Sequence, residues 1–594
     1  MHRHLNFLAI TLLGLALSGC SGLKPAPEAP DETEAAEAEP PEEEETVRQA
    51  MLEEDEIEYR DFPPDVLFAL LSAEVAAQRG RFDVTLANYA QAAADTRDIG
   101  VIERAMQIAR ALDADNAQQQ LAELWLDVDP SAPQALRIAA LQAVRQQNFE
   151  AALTYMERLF EQGEEADFET LANYARTLTS DEQEELLRLY QEMYERHPDE
   201  PTIGYSLALM KDSFGRSQQA LDLIEPILEE HNNFQPALTL KGKLLYHLGR
   251  HEEAINHLRT QTRRFPENRR LGTLYARVLV DQGQLQAAED EFATLVNRFP
   301  QATGLKLSRA LVALENDNID VAEPLLEELV EQGAHTSDAH FYLGRIADER
   351  DENQRALEHY QQVESGAHFF SALSRASYIR ADMGDLVSAR DNLERLRAQM
   401  PDQQERLWLI EINLLLDVDE HDKALEVSKN ALEQYPENSN IRYTRAMLYE
   451  REERLEEMEE DLRTILEEEP DNAIALNALG YTLTVHTERY DEAYDYIMRA
   501  YELAPDNPAI IDSVGWIYYK KGDLDQALTY LTEAYEALPD PEIAAHLGQV
   551  LWEKDRQDDA RTVLRRALDE ADEDDDISPI LETLEGLDLT PEDL

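Results

Sequence analysis

The side chains that could carry out chemistry are scattered, and their spacing is wrong for it. His247 and His251 would sit one turn apart on a helix, with His257 nearby, but Gly249 between them marks a turn. They read as surface histidines. His335 and His340 also miss helical ligand spacing. The chain contains no His-Glu-x-x-His, no Gly-x-Ser-x-Gly and no phosphate-cradling glycine loop. With 123 Asp and Glu, paired acids occur throughout, so they single out no glycosidase-like carboxylates. The acids of Glu570–Asp576 lack the glycine and ligand spacing of a calcium loop. These residues predict no catalytic group, no metal and no cofactor.

The elements that must position any binding residue are legible from a period of about 34 residues. Pro266, Pro300, Pro401, Pro436, Pro470, Pro505 and Pro539 lie on it; Gly333 and Gly366 fill the gap, and Pro130, Gly163, Pro198 and His231-Asn232 extend it upstream. Within each period, apolar residues spaced by three and four describe two helix faces separated by a break such as Lys521-Gly522-Asp523. The proline closes the second helix. An Asp or Asn shortly after it, as in Pro470-Asp471-Asn472 and Pro505-Asp506-Asn507, offers the next cap. Gly480 with Ala493, Gly515 with Ala527 and Gly548 with Ala560 mark the close crossings, where overpacking costs about 1–3 kcal/mol. Strand patterns are absent, so the class is all-α.

On these residues the chain resembles the tetratricopeptide repeat (TPR) family over roughly 66 to 570, with about fifteen helix pairs. Ala254, Pro266, Ala276, Gly283, Ala288, Phe292 and Pro300 keep the spacing within 233–300; the markers scatter in 98–198, which predicts irregularity there. One repeat cannot bury its own apolar face, so stacking must supply the core. The resemblance implies a right-handed superhelical solenoid over 63–570, with a concave groove lined by first helices. It also implies that Asn477, Tyr481, Trp516, Tyr519 and Lys520 occupy groove-type places, as do Lys243, Tyr246, Arg277 and Asp281 in the middle repeats. Aromatic anchors beside polar groups have hot-spot composition. The other reading is that the rings pack between adjacent first helices.

Arg3 and the apolar run Leu5–Leu17 have signal-peptide proportions, too short for a membrane span. The run ends in Leu17-Ser18-Gly19-Cys20, which resembles a bacterial lipobox. That resemblance implies cleavage after residue 19, acylation of Cys20 and, with Ser at position 21, sorting to the inner leaflet of the outer membrane. Cys20 is the sole cysteine, so a lipidated chain has no disulfide and no thiolate site. The plainer alternative is an ordinary signal peptide with an accidental Cys. Residues 20–62 read as an acidic disordered tether, with sixteen acids against Arg48 and Arg60 between Glu28 and Asp61. An acidic docking segment is the rival reading. Residues 571–594 read as an acidic tail.

A formal charge of −69 argues against nucleic acid, whose phosphates need cations. Because the acids are spread along the array, they read first as a solvated surface and only second as steering for basic partners.

Leu476–Leu483, Asp512–Trp516 and Ala545–Trp552 are similar to the long TPR lipoproteins of Gram-negative bacteria, the LbcA-type adaptors. The shorter NlpI-type lipoproteins play a comparable role. The resemblance implies a non-enzymatic scaffold, lipid-anchored on the periplasmic face of the outer membrane. Its partners would be a periplasmic C-terminal processing protease and substrates such as peptidoglycan hydrolases. The alternative is a TPR lipoprotein of an envelope machine for pilus secretion, outer-membrane protein insertion or polysaccharide export.

Overall fold

Most helical hairpins of this chain carry one residue at the turn in the left-handed backbone region, at intervals of about 34 residues. In the computed structural model these include Gly215, Gly249, Gly283, Asp317 and Asp351, and later Asp419, Glu453, Gly522 and Asp555, all with positive φ. At Gly522, φ is 82°, and the next residue, Asp523, caps the Leu524–Ala537 helix by accepting from the Gln526 amide at 3.1 Å. Where Asp replaces Gly, as at Asp555 with φ 58°, the same turn forms at some conformational cost.

The structure describes residues 63–571 and 576–594. The expected signal peptide over 1–19, Cys20 and the expected tether over 20–62 lie outside the described residues, as does 572–575 in the acidic C-terminal segment. Among the described residues there are thirty-one α-helices, three 3-10 turns and no strand. The described residues divide into two compact units, with the boundary in sequence between Ala322 and Glu323.

In the first unit seven hairpins run from Pro64–Gln78 with Phe82–Thr96 to Arg269–Asp281 with Leu285–Arg298. The irregularity expected over 98–198 is confined to one hairpin. The helices from Ile99 to Glu161 have ordinary lengths, but Phe168–Tyr174 is seven residues long, runs into a 3-10 turn, and is followed by the seventeen-residue Ser180–Arg196. Thr179 and Glu182 form a capping box that fixes this second start, and the buried Tyr190 hydroxyl donates to the Phe168 carbonyl at 2.6 Å.

In the second unit seven hairpins run from Thr336–Glu349 with Asn353–Tyr360 to Pro541–Glu553 with Gln557–Glu570. Of the Asp and Asn candidates, Asn472 and Asn507 are the caps, accepting from the Ala475 and Ala509 amides at 3.0 and 3.1 Å. The glycine crossings are tight, but their main partner is not the paired alanine side chain. A Cβ on Gly515 would lie 2.5 Å from Leu531 Cγ and 3.1 Å from the Leu531 nitrogen; Gly480 faces Ile497 in the same way and Gly548 faces Leu564. Each partner is one turn beyond the alanine, because helical side chains lean toward the N-terminus and cover the preceding turn.

The C-terminal segment is more than an acidic tail. Ile580 and Leu584 of the Ser578–Gly586 helix, together with Leu594, are buried against Ile543, Leu547, Leu551 and Leu564 of the last hairpin. Their i, i+4 spacing lays one apolar helix face against this hairpin, as an adjoining repeat does elsewhere in the array.

Candidate protein-binding surface

Three successive first helices, Ala473–His486, Pro508–Lys520 and Pro541–Glu553, build the surface. It begins from a buried pair. Asp512 and His546 are each under a tenth exposed, and the Asp512 carboxylate oxygens both lie 3.0 Å from His546 Nδ1. Trp516, one turn beyond Asp512, stacks its ring on His546 at 3.9 Å and 18°. Tyr519 stacks on Trp516 at 4.6 Å and 22°. The Lys520 ammonium sits 4.9 Å from the Trp516 centroid and 5.8 Å from that of Tyr519, within cation–π range. Lys520 is exposed and makes no ion pair among the described residues.

Carboxylates border the rings. The Tyr519 hydroxyl donates to Glu553 at 2.5 Å, and Gln549 Nε2 donates to Glu553 at 3.1 Å. Burial, reinforced by Glu553, pushes the Tyr519 phenol up to about 12. Tyr481 lies 6.1 Å from His546 and donates its hydroxyl to Glu542. Burial, then Glu542, raises this phenol well above its usual range. Both tyrosines therefore stay neutral donors near neutral pH.

Of the sequence-predicted residues, Tyr481, Trp516, Tyr519 and Lys520 thus come together. Asn477 is one turn before Tyr481, half-buried, and its amide oxygen is enclosed without a donor among the described residues. Trp516 packs against the next first helix, as the second reading of the aromatics has it, and keeps partial exposure.

The middle group is built differently. Lys243 donates to Asp212 at 2.9 Å, with His247 Nδ1 at 3.2 Å and the Ser217 hydroxyl at 2.8 Å from the same carboxylate. Burial pushes this carboxyl up, but the hydrogen bonds from His247, Lys243 and Ser217 outweigh it and hold it below the usual carboxylate range. Tyr246 is half-buried with its ring 5.1 Å from that of His251, and its phenol is raised by burial and by Asp281. Arg277 and Asp281 are exposed.

Asp512, His546, Glu542 and Glu553 escaped the sequence reading. Their signal is the period itself: Asp512 and His546, like Tyr519 and Glu553, are 34 residues apart, so one repeat's groove residue meets its counterpart in the next. Also unforeseen is an open cleft of about 810 Å³ between Phe369–Asp382 and Gln404–Asp417, where the Arg406 guanidinium lies 4.1 Å over Phe370. Glu157, Glu161 and His197 converge closely enough to hold an ion, but Arg196 forks onto Glu157 with two bonds of 2.8 Å and a metal would have to compete with it.

Tetratricopeptide repeat family models match residues 245–311, 307–368, 439–472, 471–540 and 515–575. The TPR repeat-containing protein PA4667 of Pseudomonas aeruginosa is 43% identical over 549 residues, covering 92% of this chain and 90% of that protein. The TPR repeat-containing protein MJ1428 of Methanocaldococcus jannaschii is 33% identical over 95 residues, 16% of this chain and 17% of that one. Among solved structures, the Cut9–Hcn1 hetero-tetramer of the APC/C aligns over 87% of this chain and 96% of its own at 14% identity, with a TM-score of 0.31. Arrays of these repeats are scaffolds for protein–protein interaction, typically without catalysis. With a relative of that identity along nine-tenths of its length and repeat-model matches in both units, this chain belongs to the tetratricopeptide repeat proteins.

Proposed function

We propose that this protein is a non-enzymatic adaptor, anchored through Cys20 to the outer membrane and facing the periplasm. It binds a C-terminal processing protease and presents substrates such as peptidoglycan hydrolases to it. The observation that carries the reading is the Tyr481–Trp516–Tyr519–Lys520 surface. It combines stacked aromatics with exposed charge, and it lies in the same repeats whose sequence resembles the adaptor lipoproteins. The lipobox-like run ending at Cys20 supports the anchor. Holding protease and substrate on one array makes their encounter effectively intramolecular, which raises the local concentration without new chemistry.

The test uses the chain without residues 1–20 as bait in a periplasmic extract. Recovery of a PDZ-containing serine protease together with cell-wall hydrolases is expected. Recovery of secretin, barrel-insertion or polysaccharide-export components alone would replace the adaptor reading with an envelope-assembly one. For the anchor, radiolabelled palmitate should enter the full chain and be lost in Cys20→Ser; equal labelling of both would refute lipidation at this thiol.

A further inference from the structure

We propose that the aromatic surface at Trp516 receives a cationic side chain, Arg in preference to Lys, from a basic segment of the partner. Lys520 then acts as an internal cation that occupies the place until the partner displaces it. The inference rests on reading this surface as a protein-binding one.

Three observations carry it. First, the Lys520 ammonium already sits 4.9 and 5.8 Å from the Trp516 and Tyr519 centroids, so the rings accept a cation in that position. No carboxylate holds Lys520 there among the described residues, and its flexible four-carbon stem can swing away at little cost. Second, the rings are pre-arranged. Trp516 is backed by His546, which the buried Asp512 orients, so an incoming side chain need not order the platform. Third, the surrounding charge selects sign. Glu542 and Glu553 are exposed at the border, each accepting one tyrosine hydroxyl and keeping further lone pairs free. The chain as a whole, at −69, attracts basic segments and repels acidic ones. A guanidinium can stack on a ring and fork onto a carboxylate together, whereas an ammonium offers only a point charge, hence the preference for Arg.

The opposing hypothesis is that Lys520 is itself the contact for an acidic partner, and the sign of its removal separates the two. The full chain carries four tryptophans, so labelling with 5-fluorotryptophan gives a small set of ¹⁹F signals, and Trp516→Phe assigns one of them. The probes are the blocked tripeptides Gly-Arg-Gly and Gly-Glu-Gly at physiological salt. We expect the Trp516 signal to shift saturably with the arginine peptide and not with the glutamate peptide. In Lys520→Met, arginine-peptide affinity should rise about two- to fivefold, the weight of one exposed cation–π contact. No shift with the arginine peptide, an equal shift with the glutamate peptide, or weaker arginine binding in Lys520→Met would each overturn the proposal. A failed ¹⁹F response alongside successful protease capture removes this inference alone. A positive response without protease capture removes the adaptor reading and leaves the surface.

Discussion

On the Gln235–His247 helix, Lys243 reaches back to the preceding repeat and bonds to Asp212, whose side chain is 1% exposed. On the Pro508–Lys520 helix, Lys520 is exposed, leans on two rings and pairs with no acid among the described residues. Both lysines lie on the first helix of their hairpin. The first is committed to joining two repeats, and the second is available to a partner. The same contrast holds for acids: Asp512 is buried and orients His546, while Glu553 is exposed at the border and accepts the Tyr519 hydroxyl. A lysine on a first helix therefore stays without an ion pair only where the acids of the neighbouring repeat leave it unclaimed.

The strongest test of this contrast is Trp516→Ala. It should weaken capture of the partner roughly thirtyfold, about 2 kcal/mol, as hot-spot truncations do. Lys243→Ala should change the same affinity less than twofold; equal losses in surface plasmon resonance would erase the distinction.

Next comes Asp212→Ala, which strands Lys243 and His247. Because both keep partial solvent contact, the loss should be about 1–3 kcal/mol of local stability. Hydrogen exchange should show faster opening over 201–264, with 473–553 unchanged. Uniform acceleration across the chain would contradict a local clasp.

Gly515→Ala probes the scaffold beneath the surface. Its Cβ would press on the side chain and backbone nitrogen of Leu531, so about 1–2 kcal/mol should be lost from the Pro508–Lys520 hairpin. A melting temperature equal to that of the parent chain would show that the crossing can relax.

The smallest effect expected is with pH. His257 is not the surface histidine that its spacing suggested: burial lowers its pKa, as it does those of His340, His359 and His368, so each is held neutral in the fold. A lowered folded pKa means their contribution is complete above the unfolded value, about 6.5, and is lost as pH falls through the folded value. Protection around 238–257 and 336–368 should decline between neutrality and pH 5. The Asp212 clasp, whose carboxyl is also depressed, should persist until well below pH 4. Loss of both over the same interval would show that the histidines are not the cause.

Much of the scaffold was legible in the residues. The interval between prolines, the caps at Asn472 and Asn507, and the break at Gly522 are local preferences that the structure expresses directly. The glycine crossings were half legible. Small residues announced a close approach, but Leu531 in place of Ala527 as the partner follows from side-chain lean, which a spacing rule ignores. The 571–594 segment was misread because its acids hid the i, i+4 pair Ile580 and Leu584. The irregular hairpin at 168–196 was placed too broadly, since scattered markers locate a defect only to within a few repeats.

By itself, then, the sequence determined that the chain is helical, repeated and strongly acidic, because helix periodicity, turn residues and charge act over a few neighbours. Which lysine is free, which acid is buried and which ring is backed were decided only by stacking. Residues about 34 apart meet across the interface between repeats, and it is desolvation there, together with the partners it brings within hydrogen-bond reach, that sorts identical residue types into fasteners and contacts.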